Sequence, residues 1–219
     1  MSKNAKKLLE SKYMQEELDK WQKKRKDYLT VAIICFFLGM YFLTKVKNES
    51  YIIKTSELNA IENLIISEKP IFKETKGKRG RKWIEFKCLD NKSTFEIANF
   101  DYSCVNDNEV LNEIKNSDTI SIKILNEDIE NFDNETTCEI HSLIKNGKEY
   151  IDLKCRNEAD NNDGKKGIVI LFSLSFMCGI VYSFVEKPTF FDKIAPEIII
   201  GIITIIIFIF LRIYFKKIN

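Results

Sequence analysis

The sequence predicts a membrane protein of the α+β class. Three transmembrane helices are expected, with one β-rich soluble domain, a small barrel holding one short helix, inserted between the first and the second. Three observations predict it. Residues 28–44, 168–185 and 194–215 are apolar runs of 17, 18 and 22 residues whose only charges, Glu197 and Arg212, lie toward the ends of the third. Each is about long enough to cross a hydrocarbon core of about 30 Å as a helix, the first only just. The 122 residues between the first two runs, 45–166, are polar and of single-domain size. Within them, apolar side chains recur with a period of two, the signature of strands.

The expected parts are a charged N-terminal helix (1–27), a first span (28–44), the soluble domain (45–166), a second span (167–185), a short loop (186–193), a third span (194–215) and a tail (216–219). Residues 3–27 contain no Gly or Pro and are rich in Lys, Glu, Leu and Gln, all good helix formers. Met14, Leu18, Trp21, Arg25 and Tyr28 recur at helical spacing, so one helix is expected from about Lys6 through Thr44. Its polar part either lies on the membrane surface, anchored by Trp21 and Tyr28, or projects into solvent, which is the plainer account. No A-x-A site follows the first run and a charged segment precedes it, so it is expected to remain as an uncleaved anchor.

After Thr44 the reading is of strands. One is expected from Ile61 into Phe72, and a second over 83–89, with Ile84, Phe86 and Cys88 on one face. A third runs over 94–97, and Ile120, Ile122 and Ile124 line a fourth. Residues 137–145 and 148–154 flank Asn146-Gly147, a pair suited to the positive φ angles of a type I′ turn. Between the third and fourth strands, Asn106 and Glu109 have capping-box spacing ahead of Val110, Leu111 and Ile114, which marks a short helix. Three strands, a helix and three strands resembles the OB-fold with one extra strand. The likeness is of topology and implies no function.

The candidate site residues are few. A basic run follows the first strand, and Lys76, Lys78, Arg79, Arg81 and Lys82, near Lys73, are candidates for contact with an anion or a lipid headgroup. The plainer account is a solvated hairpin tip. No aromatic residues interleave with them, so nucleic acid is not an expected partner. Glu127, Asp128, Glu130, Asp133, Glu135 and Glu139 form an acidic run without the fixed ligand offsets of a calcium loop, and Ala159 spoils the only near match to one. No metal and no cofactor is expected.

Six cysteines lack C-x-x-C spacing. Cys35 and Cys178 fall inside spans, Cys104 in a loop, and Cys88, Cys138 and Cys155 on apolar strand faces. A disulfide among the last four is open if the domain meets an oxidising compartment. His141, the only histidine, is expected on an outer, polar strand face. No ionisable residue lies deep in a span, so an ion or proton pathway is not expected. Ser175, Gly179 and Ser183 recur every four residues and form a small ridge suited to close helix packing, within the chain or on a partner.

The formal net charge of +2 excludes neither class of partner by itself. The wealth of Ile, Lys and Asn suggests a bacterial inner or plasma membrane. Lys20, Lys23, Lys24, Arg25 and Lys26 argue for a cytosolic N-terminus and an extracytoplasmic domain, while Arg212, Lys216 and Lys217 argue the reverse; the first helix usually dominates. The expected function is a membrane-anchored, non-catalytic binding protein whose domain recognises a protein or other ligand beside the bilayer, with a membrane-protein partner or a second copy as possible company. The alternatives are an accessory subunit of a transporter or channel, and a membrane-bound enzyme built on residues such as Asp128, Asp133 or Cys104.

Overall fold

The computed structural model describes residues 3–77, 80–134 and 136–218, with side chains for 12–77, 80–130, 132–134 and 136–215. Lys78, Arg79 and Glu135 lie outside the described residues, as do the side chains of Lys216 and Lys217. The chain divides into two compact units, one of residues 1–48 and 162–219, the other of residues 49–161.

The first unit is helical. Helix α1 (Lys3–Lys47) runs unbroken for 45 residues, as the absence of Gly and Pro before Gly39 allows. Helix α4 (Leu153–Ser183), from residue 162 onward, and α5 (Pro196–Ile218) complete it; Pro196 opens α5, where its missing N–H is no loss. All three are long and apolar enough to cross a membrane. Their large apolar side chains are mostly exposed, Phe37, Phe176, Ile205 and Phe210 among them, a surface of the kind that marks membrane or protein contact.

Its inner contacts are specific. The last carbonyls of α4 and of the residues after it lack helical partners. Arg25 Nε donates to Tyr182 O (2.9 Å), Trp21 Nε1 to Phe184 O (3.1 Å) and Gln22 Nε2 to Val185 O (2.9 Å). One polar turn of α1 thereby caps α4 and fixes the register between them. Trp21, Tyr28, Ala32, Cys178, Val181 and Phe191 form the buried cluster. Lys24 pairs with Glu197 at the start of α5 (2.7 Å).

The second unit is built on β1 (Leu58–Glu74), 17 residues long. No partner strand is that long, so β1 pairs with two. Residues 58–65 pair with β4 (Thr119–Leu125) and residues 66–74 with β2 (Lys82–Cys88), both antiparallel. The register shifts between Ile61 and Leu64, where Asn63 takes a positive φ of 60°, the mark of a bulge that bends the strand. β3 (Thr94–Ile97) follows β2. Helices α2 (Asn99–Ser103) and α3 (Asp107–Glu113) precede β4. Asn106 caps α3 as its spacing predicts: its Oδ1 accepts from Glu109 N and its amide donates to Glu109 Oε1. β5 (Thr137–Glu139), β6 (Ser142–Lys145) and β7 (Lys148–Glu149) complete an open seven-stranded sheet in the order β5-β3-β2-β1-β4-β6-β7. The β6–β7 turn is Asn146-Gly147, both at positive φ (51° and 77°). Ile66, Ile84, Phe86, Phe95, Ile122 and Leu143 are at the centre of the core.

Two expectations change here. The sequence predicts a strand over 148–154, but the strand ends at Glu149 and α4 takes over at Leu153. Asp152 is the cause: its carboxylate accepts from the backbone N–H groups of Lys154 (2.9 Å) and Cys155 (3.1 Å), an N-cap that starts the helix. The apolar spacing of Ile151, Leu153 and Cys155 therefore does not mark a strand face, and Ile151 forms only an isolated bridge with Val105. The long strand predicted over 137–145 is divided. Ile140 N donates to Glu96 O beside β3, while His141 N donates to Lys123 O on β4 (2.9 and 2.8 Å). At that point the chain passes from one pairing to another.

Candidate functional site

The basic run sits where β1 returns as β2. Thr75 and Arg81 close the turn: Thr75 N donates to Arg81 O (2.9 Å) and Arg81 N to Thr75 Oγ1 (2.7 Å). Gly80 is obligatory, since a Cβ there would lie 2.5 Å from Thr75 O. The strands then alternate. Ile84, Phe86 and Cys88 point into the core, so Trp83, Glu85 and Lys87 point outward. Register places Lys73 opposite Trp83, Ile71 opposite Glu85, and Glu85 opposite Glu96 of β3; Glu96 in turn stands opposite Glu139 of β5. Three carboxylates thus lie level across three adjacent strands.

Like charges directly opposite on a sheet cost stability. The cations of the basic run offset part of that cost. Lys73 pairs with Glu85, and Arg81 pairs with Glu96, each at close range. The Arg81 guanidinium also stands over the Trp83 ring, 5.4 Å from its centroid, and Trp83 Nε1 donates to Glu85 Oε2 (3.0 Å). Burial pushes the Glu96 carboxyl up, with Glu139 and Glu85 adding to the rise and Arg81 opposing it. For Glu85, burial pushes upward too, but its bonds from Lys73 and Trp83 leave it below the usual range. Glu139 has the weakest support, one long bond from the Asn99 amide (3.3 Å).

Of the five basic candidates, the structure brings Arg81 and Lys82 to the sheet end. Arg81 is committed to Glu96 and Trp83, and Lys82 lies 3.9 Å from Glu74. Lys76 is exposed on the turn. Lys78 and Arg79 lie outside the described residues. The residues that sequence reasoning missed are Trp83, Glu85 and Glu96; Glu139 entered it only as the last member of the acidic run. The signal was the alternation itself: a strand with Ile84 and Phe86 inward must present Trp83 and Glu85 outward. The register that aligns Glu85, Glu96 and Glu139 spans three strands and had no local signal.

A second polar cluster is buried. His141, expected on an outer face, is 3% exposed. The break at Ile140–His141 interrupts the alternation, and four successive residues, Ile140 to Leu143, are all buried. His141 Nδ1 lies 3.0 Å from Asp101 Oδ2, and Arg156 Nε lies 3.9 Å from the same oxygen. Arg156 also donates to Tyr51 O (3.1 Å), and Asn157 clamps Ile53 through both its N–H and its carbonyl (2.9 Å each). Beside Arg156, Cys155 forms a disulfide with Cys104, Cα–Cα 5.7 Å. The first turns of α4, which belong to the β-rich unit, are therefore held within it by a covalent bond and a buried polar group. Burial pushes the Cys88 and Cys138 thiols up to about 12 and about 11, leaving them inert at neutral pH.

The described residues of the acidic run are exposed or half-buried; Asp133 Oδ1 accepts from Lys92 N (3.1 Å), and residues 126–131 form a 3-10 turn. Among the described residues no group of three or more His, Cys, Asp or Glu is placed to hold a metal. The serine–glycine ridge is divided. Ser175 Oγ donates to Ala32 O on α1 (2.8 Å) and Ser183 Oγ to Ile180 O of its own helix (2.7 Å), while a Cβ on Gly179 would meet nothing within 4 Å. The close approach lies at Gly39, where a Cβ would come within 3.2 Å of the Phe172 ring.

No known protein family, no curated protein and no solved structure matches this chain.

Proposed function

We propose that this chain is a membrane-anchored, non-catalytic binding protein whose β-rich domain engages a protein partner on the outer face of β1, β2 and β3. The observation that carries the reading is Arg81 stacked over Trp83 beside the level carboxylates of Glu85, Glu96 and Glu139. Arg and Trp are the residue types that dominate binding hot spots. The face carries both signs in close alternation, so a polyanion or an anionic headgroup would meet three carboxylates as well as the cations. A folded or extended protein segment with mixed charge suits it better. Glu139, least supported, is the carboxylate that a partner's cation would meet.

Taken as one bent strand, residues 137–145 pair with β3 in parallel at one end and with β4 antiparallel at the other. The strands then run in a circuit, β1-β2-β3, the bent strand, β4 and back to β1, with α2 and α3 between β3 and β4. This arrangement resembles the connectivity of a partly open OB-like barrel, a likeness of topology alone. The Cys104–Cys155 disulfide supports an extracytoplasmic domain, because such bonds persist in oxidising compartments. Together with the spans, this favours a bacterial inner or plasma membrane as the location.

The test uses the full chain in its native membrane. A photo-crosslinking side chain at Trp83 is expected to give one discrete protein adduct, and one at exposed Asn108 on α3 none. Glu139→Gln should reduce the adduct severalfold. A ladder of unrelated adducts at position 83, or equal labelling from both positions, would count against the reading.

A further inference from the structure

We propose that the helical unit binds an anionic phospholipid between α4 and α5, its phosphodiester held by Lys166 and Arg212. The proposal rests on the reading of these helices as spans and not on the binding face above.

It begins with depth. Helices α4 and α5 follow one another through residues 184–195, so as spans they run in opposite directions. Lys166 stands 17 residues before Ser183, and Arg212 stands 16 residues after Pro196. At 1.5 Å per residue, both lie about 25 Å from the connection. A hydrocarbon core is about 30 Å thick, so with the connection at one boundary the two cations come level near the other. Lipid phosphates lie at that depth.

The two cations share one cavity of about 430 Å³, with Asp163 beside them. Lys166 is half-buried; its Nζ lies 2.7 Å from Asp163 Oδ1 and 5.4 Å from the centroid of the Phe215 ring on α5. Arg212 is exposed and has no carboxylate partner among the described residues. Two cations and one carboxylate leave the cavity a net positive charge, the complement of a phosphodiester. Asp163, three residues earlier on α4, lies about 4.5 Å farther from the core than Lys166 and does not separate the cations from the apolar part.

Polarity across the cavity is graded in one direction. Ile170 is four residues deeper on α4 and Phe208 four residues deeper on α5, and both line the same space. Each lies about 6 Å nearer the middle of the core than its cation. The cavity is therefore cationic where a headgroup lies and apolar where an acyl chain begins. Gly167 leaves room between the two parts, since a Cβ there would meet nothing within 4 Å. A soluble anion would leave Ile170 and Phe208 uncovered. A zwitterionic lipid would bring an ammonium group against two cations. An anionic phospholipid with an uncharged polyol head suits both parts. Arg212 is also one of the cations that argue against the favoured orientation, and a lipid phosphate gives it a purpose apart from topology.

The experiment is native mass spectrometry of the full chain released from detergent micelles that hold equal amounts of phosphatidylglycerol and phosphatidylcholine. One phosphatidylglycerol is expected to stay bound, favoured about tenfold over phosphatidylcholine. Lys166→Gln combined with Arg212→Gln should abolish the preference. Gly167→Leu, which fills the cavity and keeps both charges, should reduce the bound lipid severalfold. Lys193→Gln removes an exposed cation at the opposite end of the helices and should change neither. Equal retention of the two lipids by the unaltered chain overturns the proposal, whether or not a variant folds. A preference that survives the double variant, or that falls equally with Lys193→Gln, overturns it too. Glycerophosphoglycerol, the same headgroup without acyl chains, is added as a competitor. Displacement by it at the lipid's own concentration would mean a site for a soluble phosphate ester and would overturn the lipid reading. An alkaline carbonate wash of the membranes tests the spans separately. A chain that stays in the pellet yet shows no lipid preference refutes the lipid site alone; a chain that is released refutes the spans on which it rests.

Discussion

Gly39 and Gly179 both lie in apolar helices, and the sequence alone points to Gly179, because two serines flank it at helical spacing. Their surroundings separate them. A side chain at 39 drives into the Phe172 ring, whereas one at 179 enters open space. Overpacking of this kind costs about 1–3 kcal/mol. Gly39→Leu is therefore expected to lower the thermal midpoint of the purified chain in detergent by several degrees, and Gly179→Leu to leave it nearly unchanged. Equal shifts, or a larger one at 179, would show that the α1–α4 contact is not centred on Gly39. Small-residue spacing reveals that a helix permits close approach; it does not reveal which turn the neighbour reaches. His141 shows the same limit. Its alternation with Ile140 is real, but a break in pairing at that point puts both inside, and such a break is decided by β3 and β4 rather than by residues nearby.

Helix α4 is the element whose beginning was hardest to read. Residues 153–166 are polar, and the apolar spacing just before them suits a strand as well as a helix turn. What decides is one carboxylate, Asp152, on two N–H groups. The Cys104–Cys155 disulfide then holds that first turn in place. It closes a loop of 51 residues, which in the chain-entropy view contributes about 4 kcal/mol. Reduction of the full chain should lower the midpoint of the β-rich unit. It should also speed amide exchange most at residues 101–105 and 151–157, where the bond, Arg156 and Asn157 converge. Exchange that rises evenly over the unit, or not at all, would mean that the polar cluster alone holds the turn. By contrast, α1 was legible to within three residues at each end, since 36 residues without Gly or Pro leave the backbone little choice. The Asn146-Gly147 hairpin was legible for the same reason: local chemistry sets it.

For the whole molecule, if α1 crosses a bilayer, chain order puts the residues before and after it on opposite sides, and the proposed orientation has the later ones outside. A variant keeping Cys104 and Cys155, with the four remaining cysteines replaced, isolates the question. Single cysteines at Lys12 and Lys92, both exposed, should then differ. Only position 92 is expected to react with an impermeant maleimide on intact cells. Labelling at 12 alone would reverse the orientation. The order of strands was largely legible because each has its own period. The binding face was not, because it arises from register among β1, β2, β3 and β5, which no single stretch contains.

The buried thiols of Cys88 and Cys138 bear on how the molecule is made. Synthesis delivers Cys88 first, then Cys104, then Cys138, and Cys155 last. An oxidant meeting the growing chain finds Cys88 and Cys104 separated by 104 − 88 = 16 positions before the rightful mate of Cys104 exists. The shorter loop closes at lower entropic cost, so the wrong pair has the advantage early. Burying Cys88 against Ile66 ends that competition, because a thiol held near 12 has almost no thiolate to attack or be attacked. Were the domain exported as proposed, its maturation would be a race between sheet assembly and oxidation, and a cell that oxidised too eagerly would strand the chain in a crosslink its finished form forbids.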